Sequence, residues 1–190
     1  MFIALVALII RPVAFKFRSK RTSPRWRAIW DGGIWLGGFV PALIFGVAVG
    51  NVLQGVPFYF DDNLRPFYTG TLWGLLNPFA LATGVLSVAM LTVHGALWLG
   101  LKATGPVRVR AARYAGWASL FAIILFIGLG LVLHRWIPGY VITSDVVTDG
   151  PSNPLLKTVA RVDGAWMQNF VDYPLMWIAP LAGVLGLLIA

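Results

Sequence analysis

The stretch WRAIWDGGIWLGGFVPALIFGVAVGNVLQGVPF, residues 26–58, decides the fold. It opens on a basic, aromatic face, Trp26-Arg27-Ala28-Ile29-Trp30, and places one carboxylate, Asp31, at the threshold of an apolar segment. From Gly32 to Phe60 the chain carries no formal charge. A helix of about 20 residues rises about 30 Å, the thickness of a bilayer's hydrocarbon core. The stretch therefore reads as a membrane-spanning helix with one acid near one mouth and two amides, Asn51 and Gln54, near the other.

The rest of the chain repeats that theme. Of 190 residues, 58% are hydrophobic and 12% charged, against roughly 45–50% and 25% in soluble domains. There is no cysteine, which excludes disulfides, thiolate metal sites and a cysteine nucleophile. All seven acids are aspartates, and the formal net charge is +8. The basic residues border apolar spans instead of forming a surface stripe. Their first meaning is topology, the expected surrounding is a lipid bilayer, and no nucleic acid is expected as a partner.

Uncharged windows place the spans. The expected fold is an all-α, polytopic transmembrane helix bundle forming a single membrane-embedded unit over residues 1–190. It has three complete spans, at 28–54, 71–101 and 114–134, and two truncated end helices, at 1–10 and 174–190. The short end helices give the expectation of an internal fragment of a longer protein. The loops at 11–31 and 102–113 hold eleven basic residues and one acid, whereas 61–65 and 135–172 hold four basic residues and six acids. The positive-inside rule puts the first pair, with loops 11–27 and 102–113, in the cytoplasm. Most tryptophans lie near span ends, as interfacial anchors do. In the outer loop, Ser152-Asn153-Pro154 reads as a helix start. Leu155, Val159, Val162, Trp166 and Phe170 then recur at spacings of three and four, which predicts a short amphipathic helix.

Few residues carry chemistry. Asp31 lies one helical turn from Arg27 and is expected to pair with it. It is either a helix N-terminal acid favoured by the dipole or a proton-path residue, since an ionisable group near membrane depth is a functional candidate. Arg11, before Pro12, is either a helix-end anchor or a charge compensating a buried acid or a cofactor propionate. Asn77-Pro78 falls inside the expected third span and Pro41 inside the second, so both are expected to kink their helices, with Asn77 bonding freed groups or a neighbouring helix. Gly33–Gly37 and Gly46–Gly50 have the spacing of close helix packing. His94 and His134 lie at different depths and cannot share one metal. No metal site, phosphate loop, hydrolytic carboxylate pair or nucleophile–base set is visible, and no catalytic residue is assigned. Residue patterns alone reach a polytopic membrane subunit with kinked helices packed against others, and leave open a secondary transporter or permease fragment and a structural scaffold.

A series of linked motifs narrows this choice. RPVAFKFRSK at 11–20, WRAIWD at 26–31, FGVAVGNVLQGVPF at 45–58, Tyr68-Thr69-Gly70 and LLNPF at 75–79 stand in order, with Ser152-Asn153-Pro154-Leu155 and Gly164-Ala165-Trp166 beyond. This series resembles subunit II of cytochrome bd-type quinol oxidases, including the cyanide-insensitive branch, over essentially the whole chain. The resemblance implies a non-haem subunit of a quinol:dioxygen oxidoreductase in an aerobic respiratory chain, in the bacterial cytoplasmic (inner) membrane. It implies a bundle of about eight helices supporting a haem-bearing subunit I, with haems b and d, or b alone, in that partner and none bound by this chain alone. It also implies a structural quinone in the full-length subunit of some relatives, and proton access to the haems near the subunit boundary. Arg11 and Asp31 match charged positions of the family. The family's first two helices and last helices have no counterpart here. Lys16 stands where some members carry an acid, which weighs against a proton path through that loop.

Overall fold

The computed structural model describes residues 2–145, 149, 150 and 153–189. Four long helices follow one another: α1 (Phe2–Arg18), α2 (Pro24–Gln54), α3 (Pro78–Lys102) and α4 (Pro106–Trp136). The last three each begin on a proline. The ring fixes φ near the helical value, and its missing N–H falls where a helix leaves donors unpaired anyway. These three helices are long and apolar enough to cross a membrane.

Consecutive helices pack side by side and run antiparallel. A Cβ built on Gly33 would touch Ala14 and Ile10, and one on Gly37 would stand 2.8 Å from Ala7 O, so α2 descends as α1 rises. Gly46 and Gly50 meet Ser87, Thr83 and Ala80 of α3 in the same reversed order. The interior is built of small residues. Ala4, Ala14, Ala42, Ala80, Ala96, Ala115 and Ala122 are buried, and among the described residues no large side chain is fully enclosed. Most of the leucine, isoleucine, valine and phenylalanine side chains of α1, α3 and α4 are exposed, with Phe79, Val93 and Ile123 among the buried exceptions. A lipid-facing bundle has this construction, because tails are as apolar as leucine and helices gain chiefly by backbone approach.

Two hairpins lie at the end of the bundle away from the basic turns. In the first, β1 (Phe58–Phe60) pairs antiparallel with β2 (Pro66–Tyr68), Tyr59 facing Phe67. The Asp61 carboxylate accepts from the Asn63 and Arg65 amides at 3.0 and 2.7 Å and closes the turn. In the second, β3 (Gly139–Ile142) pairs antiparallel with β4 (Val159–Val162), Tyr140 facing Arg161. Helix α5 (Ala165–Asp172) follows, then a 3-10 turn at Pro174–Trp177 and α6 (Ile178–Ile189). Together α5 and Pro174–Ile189 are apolar enough for one span, but they are bent by 112° at the break.

Four expectations are corrected. The first helix does not stop at Ile10. It runs through Arg11 and Pro12 to Arg18, because a proline costs one internal hydrogen bond, that of the Leu8 carbonyl, without ending a helix packed along α2. The third span begins at Pro78, not near residue 71. Asn77-Pro78 is therefore a helix start and not an interior kink. The predicted amphipathic helix over 155–170 is a 3-10 turn, a strand and then α5. Val159 and Val162 sit in β4, where β-branched residues fit the pleat, and Gly164, at φ +75°, makes the turn into α5. The proposed helix-start residue Ser152 lies outside the described residues. Finally, part of each basic loop is helical: residues 11–18 extend α1, and 106–113 form the first turns of α4.

Candidate functional site

The best-built polar site is the α2–α3 crossing. Asn51 and Thr83 are both buried on facing helices, among Gly46, Val47, Gly50, Ala80 and Gly84. Asn51 Nδ2 donates to Val47 O at 2.8 Å, one turn back, and to Leu75 O at 2.7 Å in the connection before α3. Its Oδ1 accepts from Asn77 Nδ2 at 3.4 Å. Asn77 Oδ1 in turn accepts from Ala80 N at 2.9 Å, capping α3. One turn further, Thr83 Oγ1 donates within 3.0 Å of Gly46 O across the crossing and 2.7 Å of its own Ala80 O. The backbones touch so closely that a Cβ on Gly46 would lie 2.5 Å from Thr83 O, and one on Gly50 2.7 Å from Ala80 Cα. This arrangement holds two helices in one register. It presents no nucleophile, base or metal ligand.

Gln54 belongs to a second cluster, at the end of α2. Its backbone carbonyl accepts from Tyr140 Oη at 3.1 Å and from Arg161 Nη2 at 3.4 Å. Arg161 also donates to Tyr140 Oη at 2.5 Å and lies 5.1 Å above that ring. The β3–β4 hairpin thus brings a cation to the negative end of the α2 dipole. Gly55, at φ +84°, lets the chain turn away and leaves room for the Tyr140 hydroxyl, which a Cβ would strike. A cleft of about 510 Å³ opens beside Val52, Pro57, Phe58, Tyr140 and Arg161.

At the opposite end, the Asp31 carboxylate is held by Arg18, which donates from Nε and, at 3.2 Å, from Nη2. The expected partner, Arg27, is not the one bonded. Arg18 is brought there because α1 continues eight residues past its expected end. Trp26 Nε1 donates to Phe17 O at 2.8 Å, and Phe17 stacks on Trp30 with centroids 5.4 Å apart, locking the α1–α2 turn. Arg11 is exposed and packs its Cα and Cβ against Gly37. It is not bonded to Asp31. Pro41 is buried inside α2, which continues through it.

The two histidines do not converge. His94 lines a small cleft of about 270 Å³ with Met90 of α3 and Gly183 and Gly186 of α6, whereas His134 is exposed at the other end of α4. Among the described residues no three of His, Asp or Glu gather to hold a metal.

Of the residues expected from sequence, the structure brings Asn51 and Asn77 together, gives Gln54 a separate cluster, and leaves Arg11, Asp31 and Pro41 apart. Arg18, Thr83, Tyr140 and Arg161 were missed. Thr83 had a usable signal, since Thr83-Gly84 offers a small face to Gly46–Gly50. Tyr140 and Arg161 stand 21 residues apart, and nothing local couples them.

Fold and site define an integral membrane protein: a bundle of apolar helices locked by interhelical amides and hydroxyls, with large side chains left facing outward. Residues 1–190 match cytochrome bd terminal oxidase subunit II, and the chain belongs to that family. It is 46% identical to the "Probable cytochrome oxidase subunit 2" of Haemophilus influenzae, over 98% of this chain and 49% of that protein. It is 45% identical to the "Cytochrome bd-I ubiquinol oxidase subunit 2" of Escherichia coli strain K12, over 97% of this chain and 48% of that protein. The Bacillus subtilis "Cytochrome bd ubiquinol oxidase subunit 2" is 28% identical over 60% of this chain and 32% of its own. The chain spans about half the length of the first two relatives.

Proposed function

We propose that this chain is part of the non-haem subunit of a bd-type quinol:dioxygen oxidoreductase in a bacterial inner membrane. The observation that carries this reading is the family match along all 190 residues, with relatives named as ubiquinol oxidase subunits. The outward-facing leucines, isoleucines and phenylalanines of α1 and α4 agree with a subunit that packs against others. In this reading haems b and d, or b alone, are bound by the partner subunit I, and quinol and dioxygen react there. The full-length subunit also holds a structural quinone. The basic end of the bundle faces the cytoplasm. Asp31 contributes to proton access at that face, and Arg11, within α1, contributes to proton access or charge compensation. The transporter alternative drew on Pro41, Pro78 and the buried amides; the family match favours the oxidase subunit, and Asn77-Pro78 is a helix cap.

The test is purification of the full-length protein with its membrane partner. A reduced-minus-oxidised spectrum with haem bands and quinol-dependent oxygen uptake is the expected result, and absence of both sinks the assignment. The 190-residue chain alone should bind no haem, and stoichiometric haem in it would overturn the subunit assignment. In the complex, Asp31→Asn should slow oxygen uptake several-fold with the haem spectrum unchanged. Undiminished uptake would remove Asp31 from the proton path and leave it the role of holding α1.

A further inference from the structure

The turn between α1 and α2 carries more positive charge than the fold uses. Antiparallel packing puts it at the same end as the α3–α4 turn, and Asp31 is the one acid there, already bonded to Arg18. Lys20, Arg21 and Arg25 are exposed and, among the described residues, have no acidic partner. They are not randomly placed. Trp26 is pinned to Phe17 O by its indole N–H, and the Arg21 guanidinium lies over the Trp26 ring at 5.0 Å from its centroid. The α3–α4 turn repeats the device, with the Lys102 ammonium 5.3 Å above Trp98. Indole rings settle at the headgroup level of a bilayer. A cation stacked on such a ring is therefore held at the depth of lipid phosphates, with little freedom left to lose on binding.

We infer that the α1–α2 turn, through Lys20, Arg21 and Arg25 around Trp26, is a binding site for the headgroup of an anionic phospholipid. The recognised group is a phosphodiester without a compensating ammonium. The guanidiniums donate to its oxygens as a planar fork, and the acyl chains lie along the exposed apolar faces of α1 and α2. An acidic protein partner is less suited, because Arg21 is held over Trp26 at the level of the bilayer surface with Lys20 and Arg25 beside it in sequence. The inference rests only on the membrane-spanning fold and is read out by lipid, not by oxygen uptake. It stands or falls separately from the oxidase reading.

The experiment uses the full-length protein purified from its native membrane, stripped of lipid and titrated with phosphatidylglycerol or phosphatidylcholine in mixed micelles. Retained lipid is counted by native mass spectrometry. Phosphatidylglycerol should be retained in preference to phosphatidylcholine, and the preference should weaken at high salt. The triple substitution Lys20→Gln, Arg21→Gln, Arg25→Gln should lower phosphatidylglycerol affinity by about fivefold for each cation removed. The charge-keeping variant Lys20→Arg, Arg21→Lys, Arg25→Lys should retain most of it, which separates lost charge from lost folding. Neutralising Arg65, Arg135 and Lys157 at the other end should leave it unchanged. Inorganic phosphate should fail to displace the lipid. Equal retention of both lipids, or an unaffected triple variant, overturns the proposal. So does loss of an associated protein subunit with lipid retention intact.

Discussion

Asn51 shows how much one side chain holds at the crossing. Its amide nitrogen serves Val47 O and Leu75 O, and its oxygen receives Asn77, so removing it strands a half-buried carbonyl on the connection before α3. Asn51→Leu should destabilise the full-length subunit by about 1–3 kcal/mol, the usual cost of leaving a buried group unpaired. Unfolding in a titration with denaturing detergent measures it. Asn77→Ala should cost about 1 kcal/mol through the lost cap, and Asn77→Ser should recover part of that. Both amides were conspicuous in the sequence as polar letters in apolar surroundings. Their roles were not. A proline preceded by asparagine reads equally as an interior kink or as the start of a helix, and only the position of Leu75, outside the helix, decides it. Arg18 escaped notice because it becomes a partner for Asp31 only once α1 is continued through Pro12.

Among elements, α2 and α3 form the tightest pair. Gly46→Ala and Gly50→Ala push a methyl into Thr83 and Ala80, where backbone atoms stand 2.5–2.7 Å away. Each should cost about 1–3 kcal/mol as overpacking, whereas Gly38→Ala, with nothing within 4 Å, should be neutral. The same detergent titration separates the two outcomes. The three long helices were legible because uncharged windows of bilayer length leave no other solution. Their starts were less so: the spans were expected at 28, 71 and 114, while the helices begin at Pro24, Pro78 and Pro106. Charge windows report where the hydrocarbon begins. They do not report where a helix begins, and α2 and α4 start well before it. The β3–β4 hairpin was hidden by an accident of spacing. Val159, Val162, Trp166 and Phe170 fit a helical period, yet the first two belong to a strand whose partner lies 20 residues earlier.

At the scale of the molecule, the second hairpin ties the last third of the chain to the first third. Tyr140 and Arg161 reach Gln54 across 86 and 107 residues. Tyr140→Phe should remove one bond to the α2 carbonyl and one acceptor for Arg161, costing about 1 kcal/mol. Amide exchange should quicken in β3 and β4 and at the end of α2, while the α2–α3 crossing keeps its protection. Family membership was legible through motifs scattered along the whole chain, which the match over residues 1–190 bears out. The long-range tie was not, because no local pattern announces a pair that meets only through a hairpin.

The glycine–alanine seam between α2 and α3 has a mechanical consequence. Where helices meet through long side chains, a small displacement of one is absorbed by rotamer changes before the other feels it. Here backbone comes close to backbone at Gly46, Gly50 and Gly84, and the short, buried Thr83 side chain bonds directly to Gly46 O. The two helices form a joint without slack. A shift imposed at the basic end of α2 arrives at Asn51 and the hairpin end as the same shift, so the pair acts as a single strut between the two faces of the membrane.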